Sequence, residues 1–401
     1  MKVAMISEHA SPLAALGGAD AGGQNVHVAA LSAALARRGH EITVYTRRDD
    51  AHAPDRVDTA DGYRVVHVPA GPPRPLPKDR LLPHMGEFGA YLREHWTASR
   101  PDVAHAHFWM SGLAAELAAR DLEVPVVQTF HALGTVKRRH QGAADTSPPS
   151  RIRFERLIAT RASRIVATCS DEVFELTRMG VPRYRTSVVP CGVDTQLFTP
   201  DGPAAERGRL PHRLVSVGRM VPRKGFDIAI RALAELPDTE LIIAGGTEEE
   251  AEEATRLRRI AAEAGVADRV RMLGQVPRTA MPALLRSADA VVCTPWYEPF
   301  GMVPLEAMAC HLPVVATAVG GMIDTVVDGV TGRLVASLDP HAIAEALRPL
   351  LTDHTLREVW GAAGFARART RYTWDRIATQ TLGVYRLAAP MVAGKTASAA
   401  R

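Results

Sequence analysis

The chain has 401 residues, 46% of them hydrophobic and 23% charged, with a net charge of +4. That length fills two domains with cores of their own, and the composition is that of a globular protein. The arginines are scattered with no basic stretch interleaved with aromatics, which argues against nucleic-acid binding. No apolar run reaches the roughly 18 residues of a membrane span, and no strongly basic amphipathic segment offers a surface anchor.

The chain opens with Lys2–Ser7, an apolar run that breaks at Ser7-Glu8-His9. It is too short for the hydrophobic region of a signal peptide and reads as the first buried strand of a parallel sheet. A helix is expected over Gln24–Arg38, ended by Gly39. Strands follow at Glu41–Thr46, Tyr63–Pro69, Val103–His107, Val124–Thr129 and Ile165–Cys169, with helical patterns at about 84–98, 111–120, 151–163 and 171–179. A break falls near Pro190-Cys191-Gly192-Val193-Asp194, before the polar, Pro/Gly-rich stretch Thr199–Arg209. The alternation then resumes with strands at Arg213–Val217, Glu240–Ala244, Val270–Leu273, Ala290–Thr294 and Pro313–Thr317, and helices between them. A last helix at Thr373–Ala388 lies beyond the second sheet, and the small, polar tail from Pro390 is expected to be disordered. Two rounds of alternating strand and helix predict an α/β protein with two Rossmann-like, doubly wound domains. The expected bounds are 1–194, 195–372, a helix at 373–388 and a tail at 389–401. Cysteines 169, 191, 293 and 310 have no Cys-x-x-Cys spacing, which points to reduced thiols in a cytoplasmic protein.

One segment carries the most chemical information. Glu298 and Glu306 stand eight positions apart around a loop containing Gly301, after the strand 290–294 and at the start of a helix. Ligands of open parallel sheets bind beyond the carboxyl ends of strands. The free amides around Phe300, Gly301, Met302 and Val303 would seat a phosphate, and the flanking carboxylates would take sugar hydroxyls. A surface loop with an unrelated helical Glu is the alternative. Two further phosphate signals stand elsewhere. Gly17-Gly18-Ala19-Asp20-Ala21-Gly22-Gly23-Gln24 lies between the first strand and first helix, without Walker A or dinucleotide-fingerprint spacing. Read alone, it is equally a long turn. In the second half, Gly218-Arg219 closes a strand and Lys224-Gly225 opens the next helix, two cations five positions apart that can share a diphosphate, or simply be solvated. His105 and His107 share a strand face and mimic metal ligands, but hydrogen-bonded core histidines are the better reading.

Taken together, Gly22-Gly23, His131, Gly218-Arg219 with Lys224-Gly225, and Glu298 with Glu306 resemble the retaining GT-B glycosyltransferases of family 4 over about residues 1–388. Within them, the chain resembles the D-inositol 3-phosphate glycosyltransferases of mycothiol biosynthesis. That likeness rests on Val3–Ser7, Asp20–Val26, Val68–Pro72 and His105–Gly112. Sucrose-phosphate synthases share part of the pattern. The resemblance implies an active site in a cleft between the domains, and a final helix that crosses back to the first. It implies a nucleotide-sugar donor, linked to UDP or GDP. Arg219 and Lys224 would hold the diphosphate, Glu306 the ribose and Glu298 the transferred sugar, with Gly22 and Gly23 on the diphosphate and His131 near the reacting face of the sugar. Arg219, Lys224, Glu298 and His131 would then be the catalytic set, with no metal ligand and no required cofactor, Mg2+ entering only with the donor diphosphate. For a small polar acceptor the implied set is Asn25, Lys78, Arg151 or Arg153, Phe108 and Ala132. Phe108 and Ala132 stand where the inositol-phosphate enzymes place a Tyr and a Thr, so two hydroxyl donors are missing. Arg138, Arg139 and His140, beside the loop 141–150, would line the same side. An inositol phosphate, another cyclitol or a specialised acceptor all remain open. So do a sucrose- or sucrose-phosphate-forming transferase, a non-catalytic nucleotide-sugar-binding protein, and assembly as a homodimer. A nicotinamide-dependent dehydrogenase would need a glycine fingerprint that is missing.

Overall fold

The computed structural model describes residues 1–14, 22–247, 250–336 and 338–398, with side chains through Ala389. The chain forms two compact units, one running to Pro190 and resuming at Trp374, the other spanning Cys191–Thr373.

The first unit is built on eight strands: β1 Lys2–Ile6, β2 Glu41–Arg47, β3 Arg56–Asp58, β4 Arg64–Val68, β5 Val103–His107, β6 Val126–Thr129, β7 Arg164–Ala167 and β8 Thr186–Val188. Their order is β3-β4-β2-β1-β5-β6-β7-β8, parallel throughout except for β3 against β4. The inner strands are buried along nearly their whole length because helices cover both faces, as a parallel sheet requires. The helix Gly23–Arg37 buries Val28, Leu31 and Leu35 against Val3, Met5, Ile42 and Val44. The helix Trp374–Ser398 adds Trp374, Ile377 and Tyr385 to the same core. It continues through Ser398, past the expected end at 388. Residues 389–398, expected to belong to a disordered tail, are therefore helical, and their Ala, Met and Lys content supports that conformation, while 399–401 lie outside the described residues.

The second unit has six parallel strands: β9 His212–Val217, β10 Thr239–Ala244, β11 Val270–Gly274, β12 Ala290–Cys293, β13 Val314–Thr317 and β14 Gly332–Val335. Their order is β11-β10-β9-β12-β13-β14. The chain enters and leaves this unit side by side, with the Val193 amide donating to the Tyr372 carbonyl at 2.7 Å. The short strands β3, β8 and β14 and the helix Gly134–Gln141 have no counterpart among the sequence expectations. Each strand is three or four residues long, and the helix is mostly polar, so neither shows a hydrophobic period.

Strand order reverses at β1/β5 in the first sheet and at β9/β12 in the second. At such switch points the connections leave in opposite directions and open a crevice beyond the strand ends. The pairing of β9 with β12 extends only to Val215 and Val291, so the strand ends separate where the following loops begin.

Candidate active site

In the second unit, the loops after β9 and β12 are stitched together just beyond the switch point. Thr294 Oγ1 donates to the Gly225 carbonyl at 2.7 Å, and the Trp296 amide to the Arg223 carbonyl at 2.9 Å. Gly225 has φ +65°, and a Cβ there would run into the Thr294 carbonyl oxygen, so the crossing requires glycine. This fixes Lys224 at the start of its helix. Its Nζ donates to Glu298 Oε2 at 2.5 Å. Burial pushes the Glu298 carboxyl up, but the charges of Lys224 and Arg223, with bonds from Lys224 and the Phe300 amide, outweigh it and hold the group below the usual carboxylate range. Arg223 was not singled out in the sequence. Its Nη1 is buried with no hydrogen-bond partner among the described residues.

The loop carrying Glu298 is clamped from below. The Gly321 amide donates to the Glu298 carbonyl at 2.8 Å. Gly320, at φ +47°, approaches that carbonyl so closely that a Cβ would collide with it. Gly301, at φ +70°, opens the helix Met302–Ala309 with no side-chain cap. The first amides of that helix, with Met302 and Val303 half-buried beside Phe300, are therefore available to a ligand. Glu306 lies inside the same helix and is buried. Arg278 Nη1 donates to its Oε1 at 2.9 Å. Burial raises the Glu306 carboxyl above its ordinary value, with Arg278 opposing. Arg219 does not join Lys224 on Glu298. Its Nε donates to Glu250 Oε1 at 2.8 Å, while Glu250 Oε2 accepts from the Met220 amide. Arg278 and Glu250 come from distant loops, and no local spacing could have marked them.

In the first unit, the corresponding loops follow β1, β5 and β6. Glu8 is buried, accepts from the Ser111 hydroxyl, and lies 2.7 Å from His9 Nδ1. Phe108 and His131, the residues after β5 and two beyond β6, have φ of +81° and +61°. Such backbone is uncommon outside glycine and clusters at functional sites. Four imidazoles gather here. His107 Nδ1 meets His131 Nε2 at 2.9 Å, and His27 packs against both rings. His105 is bonded to Tyr385 and Thr129 at 2.8 Å each. Burial drives all four down, His27 to about 4, His105 to about 3, and His107 and His131 well below their ordinary value. Among the described residues, no group of three or more His, Cys, Asp or Glu is placed to hold a metal. The four cysteines are buried thiols.

Of the residues expected on the donor diphosphate, Gly22 and Gly23 begin the first helix, and residues 17–21 of the glycine loop lie outside the described residues. The expected acceptor residues divide. Asn25 is engaged locally. Its Oδ1 accepts from the Gly22 amide and its Nδ2 donates to the Ser11 carbonyl, both at 2.9 Å, so it braces the helix start. Arg151 is likewise occupied and buried. It donates to Glu155 at 2.8 Å, the Ala132 carbonyl at 2.6 Å and Ser147 at 3.1 Å, and its guanidinium covers the Phe108 ring. Arg153 is exposed over Phe154, and Lys78 is half-buried in a short turn. Arg139 forms a two-pronged pair with Glu175, both contacts 2.9 Å. Arg138 and His140 are exposed.

Comparison with known proteins adds the family. The model for glycosyltransferase family 4 matches residues 21–197, and that for group 1 glycosyl transferases matches 209–367. A D-inositol 3-phosphate glycosyltransferase of Xylanimonas cellulosilytica is 39% identical, over 96% of both chains. This chain belongs to glycosyltransferase family 4. The sucrose-phosphate synthase of Thermosynechococcus elongatus superposes on this glycosyltransferase with a TM-score of 0.88 at 30% identity, over 96% of this chain and 98% of the other. Anabaena Alr3699/HepE, solved with UDP and glucose, gives 0.73 at 20% identity over 96% and 98%. The architecture of this glycosyltransferase is GT-B.

Proposed function

We propose that this glycosyltransferase moves a sugar from a nucleoside diphosphate donor to a small hydrophilic acceptor, with retention of anomeric configuration. The observation that carries the reading is Lys224 held against Glu298 beside the uncapped helix at Gly301. A half-buried cation paired with a buried carboxylate beside a helix start suits a ligand that is diphosphate at one end and polyol at the other. As the C1–O bond to the diphosphate breaks, positive charge grows on the sugar and negative charge on the leaving group. Lys224, Arg219 and the helix amides stabilise the anion where it forms. The acceptor oxygen bonds to C1, and its proton passes to the departing phosphate oxygen. No protein nucleophile is required, and Glu298 binds sugar hydroxyls. Glu306 takes the ribose, and the Gly22, Gly23 and His131 roles belong to the same proposal. Arg223 is added to the phosphate-facing cations because its buried Nη1 has no partner among the described residues. Mg2+ enters, where it does, with the donor. The HepE complex with UDP favours a UDP-linked sugar over a GDP-linked one.

The first unit's share is the acceptor. An inositol phosphate, as the names of the curated relatives would have it, must be held without the two hydroxyls missing at Phe108 and Ala132. Each lost bond to a buried phosphate costs about 1–3 kcal/mol. No helix among the described residues is long and apolar enough to cross a membrane, which accords with a cytoplasmic enzyme using soluble substrates.

Release of UDP or GDP from sugar donors, measured with a panel of cyclitols, inositol phosphates and hexose phosphates, tests the reading. Acceptor-dependent release with a glycosylated product is expected. Donor binding with no release under any acceptor would favour a binding protein. Lys78→Ala separates the acceptor classes. With an anionic acceptor its KM rises sharply while donor KM stays nearly unchanged. An unchanged acceptor KM points to a neutral or amine-bearing polyol.

A further inference from the structure

Glu306, which is buried, pairs with the half-buried Arg278, and the proposed reaction uses only Glu306. Resting on the ribose role of Glu306, we propose that Arg278 is a positioning residue for nucleotide recognition. It turns the Glu306 carboxylate so that its free oxygen and remaining lone pairs face the ribose hydroxyls.

Glu306 stands in the middle of the helix Met302–Ala309, and its carboxylate touches Arg278 through Oε1 alone, at 2.9 Å. Oε2 accepts no hydrogen bond from the described residues. One fixed oxygen and one open oxygen is the arrangement a vicinal diol needs. A carboxylate bound at both oxygens would have fewer lone pairs to offer, and an unbound one would rotate. Arg278 is itself held, with its guanidinium 5.0 Å from the centre of the Phe198 ring. Phe198 is a core residue whose amide bonds to the Asp194 carbonyl at 2.9 Å. The planar guanidinium can lie on the ring and donate in its own plane at once, which a lysine cannot do. The ring therefore sets the plane of Arg278, and Arg278 sets the torsion of Glu306. Arg278 also supplies the countercharge that keeps a buried carboxylate able to accept two hydroxyl protons.

A purely structural ion pair predicts something else. Breaking it would lower stability and weaken every ligand by a similar factor. Positioning predicts a selective loss, confined to the ribose. The test is calorimetry with UDP, GDP, their 2′-deoxy forms and inorganic pyrophosphate, on the wild type and on Arg278→Met, Arg278→Lys and Glu306→Gln, with thermal unfolding of each variant. The wild type is expected to prefer a ribonucleotide over its 2′-deoxy form by about tenfold or more. Arg278→Met removes that preference and leaves pyrophosphate affinity in place, and Arg278→Lys does not fully restore it. The proposal is overturned if Arg278→Met retains the preference, or weakens ribonucleotide, deoxynucleotide and pyrophosphate alike. If Glu306→Gln also retains the preference, the ribose role of Glu306 falls, and the proposal with it. If Glu306→Gln loses it and Arg278→Met does not, only the role of Arg278 falls. Failure of the wild type to bind any nucleoside diphosphate would overturn the donor reading itself.

Discussion

Lys224 and Glu298 form a contact that stability alone does not call for. Two charges taken largely out of water cost several kcal/mol each before their attraction repays it, and an apolar pair of similar size often folds as well. The double variant Lys224→Met with Glu298→Leu should therefore unfold near the wild-type temperature and be inactive. Lys224→Ala alone should cut kcat/KM by roughly two orders of magnitude or more, since the cation acts chiefly on charge that develops in the transition state. Near wild-type kcat/KM would remove Lys224 from the diphosphate. Arg219→Ala should lose less, because Glu250 already holds that guanidinium. Glu298→Ala should damage transfer while keeping nucleoside diphosphate affinity, and Glu306→Ala should do the reverse; calorimetry showing the opposite pattern exchanges the two roles. The residues legible in the sequence were those sharing a strand-to-helix loop, such as Glu298 with Glu306 or Arg219 with Lys224. Arg278, Glu250, Arg223 and Glu8 were not, because their meaning lies in partners on other loops. Asn25 and Arg151 matched a motif by position, yet the structure occupies both with local bonds.

At the scale of elements, the loop carrying Glu298 depends on the short helix Gly321–Thr325 beneath it. Gly320 enters that helix at φ +47° with the Glu298 carbonyl against its Cα. A methyl group here meets both unfavourable backbone and a carbonyl that anchors the site. Gly320→Ala should cost about 1–3 kcal/mol of stability and shift the loop, weakening donor binding beyond what the stability loss explains. If denaturation shows the cost but calorimetry shows unchanged nucleotide affinity, the clamp supports the fold and not the site. The period of the hydrophobic pattern revealed the inner strands and long helices, because burial on both faces leaves a continuous apolar run. It missed β3, β8 and β14 because short strands with solvent on one side carry no such run. It missed Gly134–Gln141 because that helix is mostly polar and is tied down by contacts such as the Gly134 amide on Glu155.

At the scale of the molecule, the first unit carries two opposed proton linkages. His27, His105, His107 and His131 are buried and depressed, so the unfolded chain takes up protons that the fold refuses as pH falls below 6.5. Each such group contributes about 1.4 kcal/mol of lost stability per pH unit across its window. For His27 the window closes near pH 4 and for His105 near pH 3. Glu172 runs the other way. Burial lifts its carboxyl to about 7 from an ordinary 4.5, and its Oε1 has no hydrogen-bond partner among the described residues. Between those values the fold keeps a proton that the unfolded chain has released, so Glu172 costs stability as pH rises and reaches its full cost above pH 7. The histidines outnumber it, so stability should climb from pH 4 to 6.5 and then level. Glu172→Gln can keep the bonds from the Thr168 amide and hydroxyl without the buried charge. It should therefore stabilise the first unit at pH 8 and do little at pH 4. Denaturant unfolding followed by tryptophan fluorescence suits the measurement, because Trp374 packs edge-on against His27 at 5.4 Å and reports on this core. An equal gain at both pH values would mean that Glu172→Gln acts through packing and not through a proton. A stability curve that is flat from pH 4 to 6.5 in the wild type would mean that the imidazole cluster takes up protons without unfolding.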